Sequence, residues 1–398
     1  MKNFTLVIKK KMLCKKDGIT LKPIGDSSIK ILDCFFGLDF ALELADCIAL
    51  NKHKIKSISF STYTTKCSIV LFKSILKCNR LAYLKCKNFD GYYIQSLSNS
   101  LLNISLRSEV IQKLNLCQID FYSKSPSFNL LEKLPNLIAI EFNTCKFINF
   151  TFYKLFYNLS TCKFLSSLIL KRSKLFGNLE IMENPFKSII CNQKITLIWL
   201  EEEKANDELF FDGSLLIFEC LLVSKSLKEL TIRNYRLTNR QLKKVEEIIL
   251  KISSIKKFSF NLKNEEIPTH FLDVLCKNQS IMILDLHNQI YNFKSLKSLI
   301  SLMKNNKFIV SLNLSESKID EWKELADCIM KNNSLEFLDL GNMKIPEEVC
   351  SKLSNTKLKR LILSKSGLSL TALKSIKRSI NKNNGIIEPI EEESKEIT

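Results

Sequence analysis

A short apolar pattern, Leu-x-x-Leu-x-Leu, recurs along nearly the whole chain and limits the fold more tightly than any other feature of the sequence. It is plainest in Leu335-x-x-Leu338-x-Leu340 and Leu358-x-x-Leu361-x-Leu363, and upstream in Ile309-x-x-Leu312-x-Leu314 and Leu165-x-x-Leu168-x-Leu170. With Ile, Phe or Cys allowed in place of Leu, thirteen segments begin at Ile29, Ile55, Leu81, Ile111, Leu137, Leu165, Ile195, Leu227, Ile255, Ile281, Ile309, Leu335 and Leu358. Self-similarity with a period of ~20–50 residues is the signature of stacked repeats, each burying its apolar side against its neighbours.

The spacing has a direct physical reading. The first, fourth and sixth positions point inward from a short strand and the turn leading into it, and the residues between them face solvent. After a turn the chain is expected to bury one more side chain, at Phe147, Leu175, Leu237, Ile319, Ile345 and Leu368 in their respective repeats. A helical stripe follows, as in Trp322, Leu325, Ala326 and Ile329, which packs on the back of the strands. The hexapeptide Glu43-Leu44-Ala45-Asp46-Cys47-Ile48 recurs unchanged as Glu324-Leu325-Ala326-Asp327-Cys328-Ile329, at matched phase. Lys277-Asn278-Gln279-Ser280, Lys304-Asn305-Asn306-Lys307 and Lys331-Asn332-Asn333-Ser334 read as helix stops, because Asn tolerates a left-handed cap and Lys suits the negative helix end.

On these residues, and most closely over 255–381, the chain resembles leucine-rich repeat proteins of the ribonuclease-inhibitor-like subfamily, whose repeats are similar to those of NOD-like receptors and the Ran GTPase-activating protein. The resemblance implies an α/β solenoid, a horseshoe with a parallel concave sheet and convex helices in about thirteen repeats. The organisation expected is an N-terminal capping segment over 1–28 with an opening strand at Phe4 to Ile8, the solenoid over 29–381 closed by a helix from Leu370 to Ile380, and a short acidic disordered tail over 382–398 carrying Glu391-Glu392-Glu393. The family's Asn or Cys in the turn after the strand stands here only as Cys145. Ser173, Tyr235, Ser317, Met343 and Ser366 replace it elsewhere, which predicts a weakened turn ladder.

Composition narrows the class further. A chain of 398 residues, 45% hydrophobic, with 9 Gly and 7 Pro, is long and regular enough for one elongated repeat domain. No stretch approaches the ~20 apolar residues of a membrane span, and Met1 to Lys16 is wrongly flanked for a signal peptide. A cytoplasmic location is therefore expected, with the nucleus as the alternative. The fourteen Cys are scattered about one per repeat, with Cys34 and Cys86 at the sixth position and Cys47 and Cys328 in helices, as small buried hydrophobes. No Cys-x-x-Cys pair occurs, so neither a zinc site nor any other cofactor is expected. The formal charge of +19 allows weak binding to anionic partners or reflects a compositional bias toward Lys, Asn and Ile.

Repeat solenoids bind on the concave sheet, which places the third, fifth and seventh positions of each repeat in view. Basic residues there are Lys85, Lys87, Lys113, Lys171, Arg233, Lys257 and Arg360; acidic ones are Asp33, Glu141, Glu201, Glu229, Asp285 and Asp339. Near-neutrality argues against nucleic acid on that face. Phe35, Tyr83, Ile169, Leu197, Trp199, Ile283, Phe337 and Ile362 occupy the same positions, although a one-residue slip of register would bury Trp199. The expected partner-binding set is Tyr83, Ile169, Trp199, Arg233, Ile283, Phe337 and Arg360, a composition that marks protein-binding hot spots. Glu201, Glu202, Glu203, Asp207 and Glu208 read as an acidic loop inserted at an edge. His53, His270 and His287 fall in different repeats with no nucleophile beside them, and no phosphate-binding loop occurs, so no enzyme is expected. The functional expectation is a non-enzymatic scaffold for a partner protein. Its alternatives are stimulation of a Ran-like small GTPase, and a basic surface for nucleic acid or anionic membrane.

Overall fold

The computed structural model describes residues 5–8, 28–31, 38–53, 55–62, 70–71, 73–88, 109–121, 131, 134–176, 186–191, 194–202, 213–262, 265–382 and 386–387. Two compact units are present, one comprising residues up to Glu203 with Phe211–Ser226, the other comprising Lys204–Phe210 with the chain from Leu227 onward. Phe35, Asp33, Cys34, Glu203, Asp207, Glu208 and Glu391 to Glu393 lie outside the described residues. No helix among the described residues is long and apolar enough to cross a membrane.

The first unit is built on parallel strands in the order β1 (Thr5–Ile8), β2 (Ser28–Ile31), β3 (Ser57–Thr62), β4 (Tyr83–Asn88), β5 (Lys113–Cys117), β7 (Ala139–Asn143), β9 (Ser167–Lys171) and β11 (Leu197–Glu201). A second layer of short parallel strands, β6 (Asp120–Phe121), β8 (Lys146–Ile148) and β10 (Lys174–Phe176), follows the turns. Parallel strands of the second unit run in the order β12 (Glu229–Tyr235), β13 (Lys257–Leu262), β14 (Ile283–Asp285), β16 (Ser311–Asn313), β18 (Phe337–Asp339), β19 (Arg360–Ile362) and β20 (Ile386–Ile387), with β15 (Ile290–Tyr291) and β17 (Lys318–Ile319) paired after the turns. Within each unit, repeats from Ile55 onward align the fourth position with the fourth of the paired neighbour, as in Leu84 with Leu114 and Leu312 with Leu338.

Two expectations change. Ile29 pairs with Ile58, and Ile31 with Phe60, so Ile29 occupies the fourth position of its repeat and not the first. Ile29-x-Ile31 and Ile29-x-x-Leu32-x-Cys34 both satisfy apolar spacing, and strand pairing selects the former. Ile386 and Ile387, assigned to the tail from sequence, form β20 against Arg360 and Leu361.

Inward positions are fully enclosed: Leu335, Leu338 and Leu340 are 4%, 0% and 0% exposed. Burying such a side chain contributes about 1.5–3 kcal/mol relative to leaving it in water. The repeated hexapeptide lies in α1 (Leu38–Leu50) in one copy, and its Leu44, Ala45 and Ile48 are buried as Leu325, Ala326 and Ile329 are in the other. Further helices are α2 (Asn149–Ser160) and α3 (Gly213–Leu221) in the first unit. The second unit carries α4 (Asn239–Lys251), α5 (Thr269–Lys277), α6 (Phe293–Asn305), α7 (Trp322–Lys331), α8 (Cys350–Ser354) and α9 (Leu370–Lys382), each packed on the next. Phe fills the space where strand and helix diverge: Phe142 meets Phe147 edge-on at 5.2 Å, and Phe260 stacks on Phe271 at 4.2 Å. Cys78 and Cys86 are buried free thiols, and burial pushes the Cys78 thiol up to about 11, as expected for small hydrophobes. Phe147, Ile319, Ile345 and Leu368 are buried after their turns, whereas Leu237 is only half-buried, beside the start of α4.

The Asn residues before the strands act differently from the reading as left-handed caps. Helices do end at Asn278, Asn306 and Asn332, but all three are extended, with φ of −71°, −80° and −75°. Their side chains are buried and stitch three consecutive segments together. Asn306 Nδ2 donates to the Leu275 and Asn278 carbonyls at 3.2 and 2.7 Å, while its Oδ1 accepts from the Phe308 and Ile309 amides. Asn278 reaches back to the Ile249 carbonyl (2.6 Å) and Asn332 to that of Met303 (2.6 Å) in the same way.

Left-handed backbone occurs instead at the eighth position of the repeat: Gln118, Thr144, Arg172, Asn234, Asn288, Glu316, Asn342 and Lys365 have φ between 51° and 61°. None is Gly, so each carries a steric cost on the order of 1–2 kcal/mol. The compensation, at every one of these but Lys365, is a hydrogen bond to the next repeat, as in Asn288 N to Ser315 O (2.7 Å), Glu316 N to Gly341 O (2.9 Å) and Asn342 N to Ser364 O (2.7 Å). At Asn234 the acceptor is the Asn261 side chain, whose Nδ2 donates onward to the His287 and Asn288 carbonyls. Nor is the adjoining turn ladder weakened by Ser: Ser173 Oγ accepts from the Cys145 amide and Ser317 Oγ from that of Gln289, each at 3.1 Å.

Replacing Asn306 by Ala removes the partner of four backbone groups, three of them in buried bonds, and Asn306→Ala is expected to lower stability by about 2–4 kcal/mol. The adjacent, exposed Asn305→Ala should stay within about 0.5 kcal/mol. Urea denaturation checks both, and equal effects would refute the stitching role.

Candidate functional site

In each sheet the third, fifth and seventh positions stand on the face opposite the buried fourth and sixth positions, a face on which no helix packs among the described residues. In the first unit, pairing aligns Lys85, Asn115, Glu141, Ile169 and Trp199 along one row, and Tyr83, Lys113, Ala139, Ser167 and Leu197 along the next. The register places Ile198 and Leu200 in the core and Trp199 on the open face, half-exposed. Its ring is held on two sides: Lys171 Nζ lies 4.4 Å from the ring centroid, and the indole Nε1 donates to Glu201 Oε2 at 3.0 Å. Lys171 also pairs with Glu141 at 3.3 Å, and Arg172 approaches Glu201 at 3.8 Å. Glu201 is thus the last residue of β11, paired with Lys171 across the sheet, and not part of a loop; Glu202 follows it, half-buried. Burial, with Glu141, pushes the Tyr83 phenol up, against the Asn115 side-chain hydrogen bond. The Asn115 carbonyl oxygen, buried in this face, has no donor.

In the second unit, Thr231, Ser259, Asp285, Asn313, Asp339 and Ile362 form one row across adjacent strands. Arg233 does not stand free. Its guanidinium contacts Asp285 Oδ2 at 2.6 Å and its Nε donates to Ser259 Oγ at 3.1 Å. Ser259 donates to Asp285 Oδ2 at 2.9 Å, and His287 Nδ1 lies 2.9 Å from Asp285 Oδ1. Burial alone would raise the Asp285 carboxyl, but the His287 hydrogen bond and charge, the Arg233 charge and the Ser259 hydroxyl together hold it well below the usual range. Asp339 is shifted the other way, raised by burial and by the charge of Asp285 against the Gly341 amide bond. A Cβ on Gly341 would meet Ser364 Oγ at 2.8 Å and Asp339 Oδ1 at 3.1 Å, so a side chain there would have to displace the Ser364 hydroxyl. Phe337 carries the Arg360 guanidinium 5.1 Å from its ring centroid, and Ile283 is 40% exposed one row from Asp285.

The set Ser259, Asp285 and His287 contains the residue types of a catalytic triad without its connectivity. The serine hydroxyl, 1% exposed, donates to the carboxylate, and the imidazole binds the other oxygen of that carboxylate. A nucleophile must instead give its proton to the base. This cluster was missed in the sequence, yet Ser259 and Asp285 share one repeat phase and His287 lies two residues on, a signal that aligned repeats carry. Among the described residues no group of three or more His, Cys, Asp or Glu is placed to hold a metal ion.

The folded-state Asp285 carboxyl titrates below its unfolded value of about 3.9. Its stabilisation is therefore complete above that range and is lost as pH falls through the folded value. Asp285→Asn is expected to cost about 2–3 kcal/mol at neutral pH and progressively less below pH ~4. Urea denaturation across a pH series checks this, and a penalty independent of pH would contradict it.

No protein-family model matches the chain, and no curated protein matches it. Among solved structures it is similar to the crystal structure of the TLR13–ssRNA13 complex, at 17% identity and a TM-score of 0.39, with 85% of this chain and 39% of that chain covered. This chain thus spans about two fifths of the length of that one. Identity at that level carries nothing about ligands. Repeat phase, parallel pairing and the inter-repeat ladders give the same answer within each unit: both have the leucine-rich-repeat fold.

Proposed function

We propose that the chain is a non-enzymatic scaffold that receives a partner protein on the open sheet face of its repeats, and that its repeats are of the ribonuclease-inhibitor-like kind. The alternation of strand and helix from β12 to α7 supports the subfamily reading. The observation that carries the function is Trp199. A large aromatic side chain stands half-exposed on a sheet, beside Ile169 in the next strand, with Lys171 on its ring and Glu201 at its indole nitrogen. Core packing requires none of this, because Ile195, Ile198 and Leu200 already fill the interior. A fixed aromatic anchor loses little side-chain entropy on binding, and rings of this kind dominate interface energetics.

The test is affinity capture from a cell extract at physiological salt, comparing the intact chain with Trp199→Ala and with Tyr157→Ala on the exposed helix surface. A defined protein should be retained by the intact chain and by Tyr157→Ala, with Trp199→Ala weakening its binding by about 2 kcal/mol or more. Equal recovery by all three would remove Trp199 as the anchor.

A further inference from the structure

We infer that the partner segment received by the first unit is acidic, with carboxylate side chains seated over Lys85 and Lys113 and an apolar side chain against Trp199 and Ile169. The inference rests on the scaffold reading above. Its basis is an imbalance confined to one part of the open face. Lys171, the lysine nearest Trp199, is neutralised within the chain by Glu141 at 3.3 Å, and Arg172 lies 3.8 Å from Glu201. Lys85 on β4 and Lys113 on β5 have no carboxylate within ion-pair distance among the described residues. They sit on adjacent strands, because Tyr83 pairs with Lys113 and Lys85 with Asn115. Lys113 is exposed and Lys85 half-buried beside Tyr83. Two lysines on adjacent strands, with no counter-ion among the described residues, favour an anionic occupant.

The face also selects the kind of anion. Glu141 is one strand from Asn115, and Glu201 is the last residue of the strand carrying Trp199, so the sign of charge alternates across the sheet. A nucleic acid backbone carries a charge on every phosphate and would lay some of them on these carboxylates. A polypeptide places its acids one at a time and can avoid them. Three strand spacings separate Lys113 from β11, about 14 Å, which an extended peptide covers in about four residues. The predicted occupant is thus an extended segment crossing the strands, with Asp or Glu about four residues from a large apolar side chain.

Panning a random dodecapeptide library on the full chain at physiological ionic strength tests this. Expected is enrichment of Asp or Glu at that spacing from an aromatic or aliphatic residue. Binding should be about tenfold weaker for Lys85→Glu/Lys113→Glu, which should select Lys- or Arg-bearing peptides instead. Lys85→Gln/Lys113→Gln, with unchanged circular dichroism, serves if the reversal unfolds the chain, and should also weaken binding. Peptides that bind the reversed variant as tightly as the intact chain, yet are lost with Trp199→Ala, would overturn the acidic partner and leave the scaffold reading intact. Peptides insensitive to both changes would overturn both. Polyuridylate captured in preference to any peptide, and lost on the same lysine reversal, would overturn the inference in favour of nucleic acid.

Discussion

No repeat in this chain can satisfy its own backbone, and the hydrogen bonds that it makes to the next repeat are the constraint on which the rest depends. A strand and turn of this length leave N–H and C=O groups pointing along the stack, and leaving them unpaired away from water would cost a few kcal/mol each. Three sets of contacts answer this. Parallel strand pairing satisfies the sheet. The left-handed eighth position turns its amide toward the neighbouring turn. Buried Asn278, Asn306 and Asn332 join a helix end to the strand that follows it and to the preceding repeat. The left-handed backbone, unfavourable for Gln118, Thr144 or Glu316 in isolation, persists because each of these three gains an acceptor one repeat away.

This division of labour frees the open face. Leu, Ile and Phe at inward positions, with the ladders, hold each unit together, so the third, fifth and seventh positions carry no obligation to the core. Six of the charges there are paired within the sheet, Lys171 with Glu141, Arg233 with Asp285, and Lys257 with Glu229 at 3.2 Å. The exposed Lys257–Glu229 pair fixes side-chain orientation more than it adds stability, since exposed ion pairs contribute at most about 1 kcal/mol. Trp199 and Phe337 each have a cation over the ring and a defined position on the strand. Lys85 and Lys113 depart from this self-neutralisation.

Much of this was legible in the sequence, because apolar phase survives translation into strands. Twelve of the thirteen segment starts keep their phase, and Trp199 falls on the open face as its neighbours Ile198 and Leu200 dictate. What periodicity could not decide is which of two equally apolar registers Ile29 adopts, since that depends on its pairing with Ile58. The role of the Asn residues was hidden for a different reason: a left-handed cap and a buried amide bridging three segments demand the same residue type. Likewise Arg233 reads as an exposed cation until the partner 52 positions away, Asp285, is brought beside it. Glu201 looked like the start of an acidic insertion, and only pairing with Lys171 makes it strand.

Site-specific photocrosslinking in cells tests whether the open sheet face holds a partner. A benzophenone side chain is placed in turn at Ile169, on the sheet, and at Tyr157, 54% exposed on α2. Binding on the sheet face would give a discrete protein adduct from position 169 and none from position 157. An adduct from 157 with none from 169 would place the binding surface on the helices and contradict it.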